Sequence, residues 1–309
     1  MMSRIIITQE MSHINSNHHF LFFQVVGLLA WAMRSWITIL RPLNLLQATL
    51  AVVLTTAFLG EMEQTNILIL LILSVITINA GGNIINDIYD LEIDRINRPD
   101  RPLPSGGMRV NQARVYLVIL FTTGSLLAWS ISLQTFIIAG PISIPLLIAY
   151  SACFKRQPLI GNLTVSFMLG LAFIYVGSAF GNIQATLLMA ALAFGFTLIR
   201  EIVKDLEDME GDAQAEARTL PLVWGESKTL GLALVLMIAF AVLDTLPFFL
   251  GVYNHVYLWM VLVGINLPLL IFAFILWKMP NKKNYSRAQL FLKLDIFVGL
   301  AALYFGQTF

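Results

Sequence analysis

The sequence has little charge and almost no thiol or imidazole chemistry. Its 309 residues include one cysteine, Cys153, and four histidines. A single cysteine excludes an internal disulfide framework and a cysteine-built metal site. Asp, Glu, Lys and Arg make up only 12% of the chain, about half the share of a soluble domain. Such a composition excludes a disordered chain and a nucleic-acid binder, and a formal net charge of +1 carries no message about partners. The opening MMSRIIITQEMSHINSNHH is too long and mixed to read as the start of a secretory signal. What is abundant is apolar: 58% of residues, against about 45–50% in soluble domains. A membrane-spanning helix takes about 20 mostly apolar residues, so this inventory fills about nine spans. The chain reads as an integral, all-α, multi-pass membrane protein.

Apolar runs bounded by polar or Gly/Pro clusters predict nine helices, over 35–60, 67–92, 110–133, 134–153, 160–181, 185–208, 227–249, 253–277 and 288–308. Only Ser132-Leu133-Gln134 separates the third from the fourth. The run 20–33 is too short to span and reads as an interfacial helix, so residues 1–34 form a leader and 35–309 the membrane domain. Charge placement supports the count. The segments around 61–66, 134, 182–184 and 250–254 hold no Lys or Arg, and all 19 basic residues fall before the first helix or near the opposite helix ends. By the positive-inside rule those ends and the N-terminus are cytoplasmic, and the C-terminus lies outside.

Two acidic clusters stand out at that cytoplasmic edge. The second helix ends in Asn86-Asp87-Ile-Tyr-Asp90-Leu-Glu-Ile-Asp94. At about 100° per residue, Asn86, Asp87, Asp90 and Asp94 all fall within an arc of about 100°. The sixth helix ends in Lys204-Asp205-Leu-Glu-Asp208-Met-Glu-Gly-Asp212, where Lys204, Asp205, Asp208 and Asp212 take the same wheel positions and Glu201 joins them. Each helix thus presents a comb of carboxylates. Anions are disfavoured at helix C-termini, and carboxylates four residues apart repel one another. Accepting both penalties twice points to a multivalent cation in the gap. Oxygen donors without His or Cys select Mg²⁺ over zinc and leave coordination positions for substrate phosphates. Asp90 and Asp208, central in each comb, are the catalytic candidates together with Lys155.

The combs lie 118 residues apart, as do Asn44 and Asn162, while Arg101-Pro-Leu-Pro and Arg218-Thr-Leu-Pro lie 117 apart. This spacing suggests a duplicated four-helix unit followed by a ninth helix. An even-numbered repeat keeps its orientation, so both combs emerge on one face, unlike an inverted transporter repeat. Cations surround them. Arg95, Arg98 and Arg101 follow the first comb in a loop restrained by three prolines, and arginine suits bidentate phosphate contacts. Tyr150, Lys155 and Arg156 close the fourth helix, Arg41 and Asn44 open the first, and Asn162 opens the fifth. Helix N-termini carry free N–H groups and positive partial charge. The arrangement suits an Mg²⁺–diphosphate head with a lipid tail buried between helices.

These residues carry a resemblance. Asn86-Asp87-x-x-Asp90-x-x-x-Asp94 with Arg98-Pro-Asp-Arg101-Pro-Leu-Pro-Ser-Gly resembles the first signature of the UbiA superfamily of intramembrane prenyltransferases. Asp205-x-x-Asp208-x-x-x-Asp212 followed by Thr219-Leu-Pro and Gly225 resembles the second, and Tyr150-Ser151 through Lys155-Arg156 and Gly161-Asn162 the motif between them. The resemblance implies nine helices around a central cavity and Mg²⁺-dependent transfer of a prenyl group from its diphosphate. Lys155, Arg156 and Lys204 would stabilise the departing charge. Within the superfamily, Arg200-Glu201-x-x-Lys204-Asp205-x-Glu207-Asp208-x-Glu210-Gly211-Asp212 and Asp94-Arg95-Ile-Asn97-Arg98-Pro are most similar to synthases that attach a second geranylgeranyl chain to an ether-linked glycerol phosphate. Chlorophyll synthases share Arg-Pro-x-Pro-Ser-Gly and Glu-Gly-Asp, so an aromatic or tetrapyrrole acceptor is the alternative. The expected partners are a prenyl diphosphate, a lipid-like acceptor and membrane lipid, with no nucleic acid and no obligate protein partner.

Other residues read blandly. His13, His18 and His19 lack a carboxylate comb. Asp244 and Asp295 lie near the ends of their expected helices and read as snorkelling. An ion-coupled transporter would carry acids near helix midpoints, whereas the combs lie at one surface.

Overall fold

The structure is a computed structural model that describes residues 34–214 and 216–307; the expected interfacial helix 20–33 lies outside them. Among the described residues, eight helices are long and apolar enough to cross a membrane, and a ninth apolar helix is shorter. We number them in chain order: α1 Pro42–Phe58, α2 Thr65–Tyr89, a short α3 Leu91–Asn97, α4 Val110–Ile131, α5 Leu133–Ala152, α6 Ile160–Ala179, α7 Ile183–Gln214, a short α8 Leu220–Trp224, α9 Glu226–Phe249, α10 His255–Lys278 and α11 Lys282–Phe305. Lipid-facing positions such as Val118, Leu126, Val235 and Phe274 are exposed apolar residues, as expected where hydrocarbon replaces water.

Several helix ends differ from the sequence expectation, each for a local reason. The first span is not one helix. Residues 34–38 are helical, the chain breaks at 39–41, and α1 starts at Pro42. Proline pushes the preceding residue out of the helical region, and Arg41 adopts φ 54°. Between α4 and α5 a single extended residue, Ser132, suffices. Its hydroxyl accepts from the Thr135 N–H at 3.1 Å, while the Thr135 hydroxyl accepts from the Ser132 N–H at 3.0 Å. This reciprocal cap starts a new helix at once. The helix α7 runs on to Gln214, so Asp212 is helical. Similarly, α11 begins at Lys282, where the Asn281 side chain caps the Asn284 N–H. That earlier start moves Asp295 into mid-helix, and both Asp295 and Asp244 are 2% exposed. Neither snorkels.

The 118-residue spacing recurs in the backbone. Arg41 and Leu159, 118 residues apart, both have positive φ, 54° and 63°, with ψ of 69° and −37°, and each directly precedes a helix. In the first unit α1, α2, α4 and α5 pack together; in the second, α6, α7, α9 and α10 do so. Helix α6 joins the units by packing on α1 and α2, and α11 closes the bundle against α7, α10 and α1.

The core follows this division. One cluster, including Ile199, Ile202, Met237, Leu269 and Leu292, fills the second unit and its contact with α11. The first unit has an outer cluster around Val52, Leu71 and Ala128, and an inner one around Ile84, Met108 and Phe121. Leu103 and Met108 belong to the inner cluster, so the proline-rich loop is packed down beneath the first comb. The closest helix pair relies on a missing side chain. A Cβ at Gly170 of α6 would meet the Ala190 carbonyl oxygen of α7 at 2.8 Å.

Gly170→Val should therefore destabilise the bundle by about 1–3 kcal/mol through overpacking. Gly231→Ala, which meets open space on α9, should be neutral or slightly stabilising. Melting temperatures of the two purified variants in detergent check this pair, and equal values would refute the packing account.

Candidate active site

The first comb is split by the end of its own helix. Asp90 is both the last cap of α2 and the first of α3, with φ −89° and ψ 0°. Seven residues is nearly two full turns, so Asp87 and Asp94 share one face, while Asn86 and Asp90 share its neighbour. Each pair meets a different cation. Arg101 Nη1 lies 2.5 Å from Asp94 Oδ2 and 3.3 Å from Asp87 Oδ1, and Arg41 adds a second guanidinium to Asp87. Asp87 and Asp94 are 3% and 6% exposed, so these pairs are largely shielded from water. The Lys155 ammonium donates to Asp90 and, at 3.3 Å, to Asn86 Oδ1. Burial pulls the Lys155 ammonium below the usual lysine range, and Asp90 pushes back.

Local backbone fixes these cations. Arg101 opens a turn in which the Ser105 N–H donates to its carbonyl at 2.9 Å, and the Met108 N–H closes the loop on Pro102 at 3.0 Å. Arg41 owes its reach to the left-handed kink before Pro42. Asn83, one turn before Asp87, donates its amide to the Leu40 carbonyl at 2.8 Å and so ties that kink to α2. Sequence reasoning passed over Asn83, although its place four residues before Asp87 on the same face was a usable signal.

The second comb is one uninterrupted helix face. Asn162 donates its amide to Asp205 Oδ2 at 2.9 Å. Lys204 Nζ lies 3.8 Å from Asp208 Oδ2, a half-exposed carboxylate. Buried Glu201, one turn earlier, pairs with Arg200 at 2.6 Å. Asp212 is within electrostatic reach of Asp208 and Lys204. The two units thus answer equivalent carboxylates differently: Asp87 takes arginines, and Asp205 takes an asparagine amide.

Between the combs lie Tyr150 and the turn that follows α5. Tyr150 is within electrostatic reach of Asp90 on one side and of Glu201, Lys204 and Asp205 on the other. The turn Phe154–Arg156 carries Lys155 to the first comb, and the Arg156 carbonyl accepts from the Arg218 N–H at 2.9 Å, which stitches the loop after α7 to it. Gly161 makes this possible, because a Cβ there would meet the Phe154 carbonyl oxygen at 2.8 Å.

Of the residues expected from sequence, Arg41, Asp87, Asp94 and Arg101 thus join one contact network and Asn86, Asp90 and Lys155 a second beside it, and Asn162, Lys204, Asp205, Asp208 and Asp212 line the second comb. Others stand apart. Arg95 pairs with Glu92 on the surface, and Asn44, Arg98, Arg156 and Arg218 are exposed. Among the described residues no three acidic, histidine or cysteine side chains gather closely enough to grip a metal ion unaided.

Comparison with known proteins places this geometry in a family. The UbiA prenyltransferase family model matches residues 45–294. A digeranylgeranylglyceryl phosphate synthase of Methanosphaera stadtmanae is 35% identical over 274 residues, covering 89% of this chain and 99% of that one. A protein of the same name from Thermococcus gammatolerans is 38% identical over 271 residues, 87% of this chain and 97% of that one. A solved structure concerned with digeranylgeranylglyceryl phosphate synthase in membranes superposes with a TM-score of 0.76 at 31% identity, covering 89% of this chain and 98% of that one. A UbiA homologue from Archaeoglobus fulgidus, solved with GPP and Mg²⁺, shares the fold with a TM-score of 0.60 at 19% identity, over 87% and 99% of the two chains. The chain belongs to the UbiA prenyltransferase family.

Proposed function

We propose that this protein transfers a geranylgeranyl group from its diphosphate to a prenylglycerol phosphate, an Mg²⁺-dependent step of ether-lipid synthesis. The observation that carries the reading is the presence of two carboxylate combs at one end of a largely apolar bundle, the first paired with cations drawn from three different loops and the second with an asparagine amide and a lysine of its own helix. Near full-length similarity to proteins named digeranylgeranylglyceryl phosphate synthase supports the acceptor.

The donor set fits the ion. It consists of carboxylate and amide oxygens, the hard ligands Mg²⁺ prefers. The Lys155 ammonium between Asn86 and Asp90 supports a place for positive charge at the first comb. Because no three acids converge among the described residues, the ion would share its coordination with substrate phosphates, the usual habit of Mg²⁺. Asn86, Asp87, Asp90 and Asp94 on one side and Asp205, Asp208 and Asp212 on the other would hold it. Bound there, Mg²⁺ supplies the charge that makes diphosphate a better leaving group. Arg41, Arg95, Arg98, Arg101, Arg156 and Arg218 would grip phosphate oxygens, with Asn44, Tyr150 and Asn162 as polar contacts. Lys155 and Lys204 stabilise the charge that grows as the carbon–oxygen bond breaks. The apolar helices below keep water from the allylic carbon. Incubation with Mg²⁺, geranylgeranyl diphosphate and geranylgeranylglycerol phosphate should yield the doubly prenylated lipid by mass spectrometry. Prenylation of a quinone precursor or a chlorophyllide instead would replace the acceptor.

The positive-inside pattern supports a cytoplasmic N-terminus and comb face, with the C-terminus outside. Cys153, the single cysteine and an exposed one, tests this. A membrane-impermeant maleimide should label it in inside-out vesicles and not in intact cells, and the reverse pattern would invert the topology.

Asp208→Asn should lose roughly 10²–10³ in turnover with its melting temperature unchanged, since Asp208 is half exposed. Asp90→Asn should lose as much activity and some stability, because it strands the buried Lys155 ammonium. Retention of more than about a tenth of wild-type turnover by both at saturating Mg²⁺ would remove the combs from the mechanism.

Arg101→Leu leaves Asp94 buried and unpaired and should destabilise the protein by about 3–5 kcal/mol. Adding Asp94→Leu should recover much of that loss in thermal melts. No recovery would mean the pair is incidental to the fold.

A further inference from the structure

A second polar cluster lies away from the combs, where α9, α10 and α11 meet. Asp244, Asn266 and Asp295 are 2%, 4% and 2% exposed. Asn266 and Asp295 fall near the middle of two 24-residue helices, and Asn266 ends a π-helical stretch, Met260–Asn266, a distortion that often marks functional positions. The register of α10 on α11 is fixed by Gly264 against Val298 and Tyr257 against Gly306, which sets Asp295 within a turn of Asn266. Asp295 is also within electrostatic reach of Asp244.

The hydrogen bonds leave several buried acceptors open. The Asn266 amide donates to the Ala241 carbonyl at 2.8 Å and to Asp244 Oδ1 at 3.1 Å, so both its N–H groups are used. The Tyr257 hydroxyl spends its proton on the Asp244 backbone carbonyl at 2.6 Å. Asp244 Oδ2, Asn266 Oδ1 and both Asp295 carboxylate oxygens are buried without any partner. Among the described residues no Lys, Arg or His pairs with the three. Met237, Phe240, Ile265, Leu269 and Leu292 supply an apolar core around them.

Four bare oxygens and two acids in an apolar interior call for neutralisation by protons, by a cation or by both, because an unpaired buried charge is strongly penalised. Ca²⁺ takes 6–8 oxygens, and Mg²⁺ wants an octahedron with several waters. Four protein oxygens sealed from solvent satisfy neither, whereas a monovalent ion sheds its water at far lower cost and tolerates a smaller shell. We propose that Asp244, Asn266 and Asp295 form a sodium-ion site that clamps α9 and α10 to the closing helix α11, with one proton shared by the carboxylates to complete neutrality. Asp244, only five residues from the outer end of α9, marks the shorter way in.

The test uses the full chain purified in detergent, with NaCl exchanged for N-methylglucamine chloride, KCl or CaCl₂ at about 0.15 M ionic strength and unfolding followed by tryptophan fluorescence. Sodium should raise the melting temperature in a saturable way, on the order of 5 °C. Asp295→Asn and Asn266→Leu should each abolish the rise, and Gly231→Ala should keep it. Direct ²²Na⁺ binding to the wild type, displaced by unlabelled sodium and not by potassium, keeps the question answerable if a variant misfolds. No sodium effect in either measurement overturns the site. So does stabilisation by acid alone, which would make the cluster a proton pair, or by Ca²⁺ alone, which would make it divalent. Neither readout depends on prenyl transfer, so this site can fail while the catalytic reading stands.

Discussion

Charge in this protein has to be answered by charge or by a fixed dipole, since most of its length borders hydrocarbon. The six comb aspartates sit where lipid gives way to water, and four of them, Asp87, Asp90, Asp94 and Asp205, have a partner supplied by another part of the chain. Arg41 comes from the kink before α1, Arg101 from the packed loop after α3, Lys155 from the turn after α5, and Asn162 from the first turn of α6. These partners tie loops to helices that would otherwise meet only through apolar packing. The same contacts that neutralise the combs therefore assemble the mouth of the site.

The two halves solve one problem in two ways. Arg41 and Leu159 both have positive φ at equivalent positions, yet only the first carries a charge. In the second half the role passes three residues on to Asn162, whose amide reaches Asp205. The positive φ recurs while the side chains differ. One comb is thus held by strong permanent cations and the other by a neutral amide and a distant lysine, which leaves the second carboxylates with more unspent charge.

Much of this was legible in the sequence. The apolar runs gave the spans because a bilayer imposes a minimum length, and the combs stood out because carboxylates at helix C-termini oppose both dipole and neighbour repulsion. What stayed hidden depended on tertiary partners. Wheel angles put Asn86, Asp87, Asp90 and Asp94 on one arc, and only Lys155 and Arg101 divide them into two working pairs. Arg95, Arg98, Arg156 and Arg218 looked equal to Arg101 by spacing, yet loop packing turns Arg101 inward alone. Asp295 read as peripheral because Lys282, Lys283 and Arg287 looked like loop; the Asn281 cap draws them into α11 and carries the aspartate to mid-membrane.

The length of α7 has a consequence for how substrates come and go. Its 32 residues make a rod of about 48 Å, well beyond the roughly 30 Å of hydrocarbon. The second comb therefore stands on a helical mast above the acyl chains, level with lipid head groups. An amphiphile can leave its phosphate in the aqueous layer and slide its chain sideways out of the bilayer, so that neither end has to cross the wrong medium. Loading and release then resemble lateral partitioning within one leaflet, with no flipping step for the amphiphile.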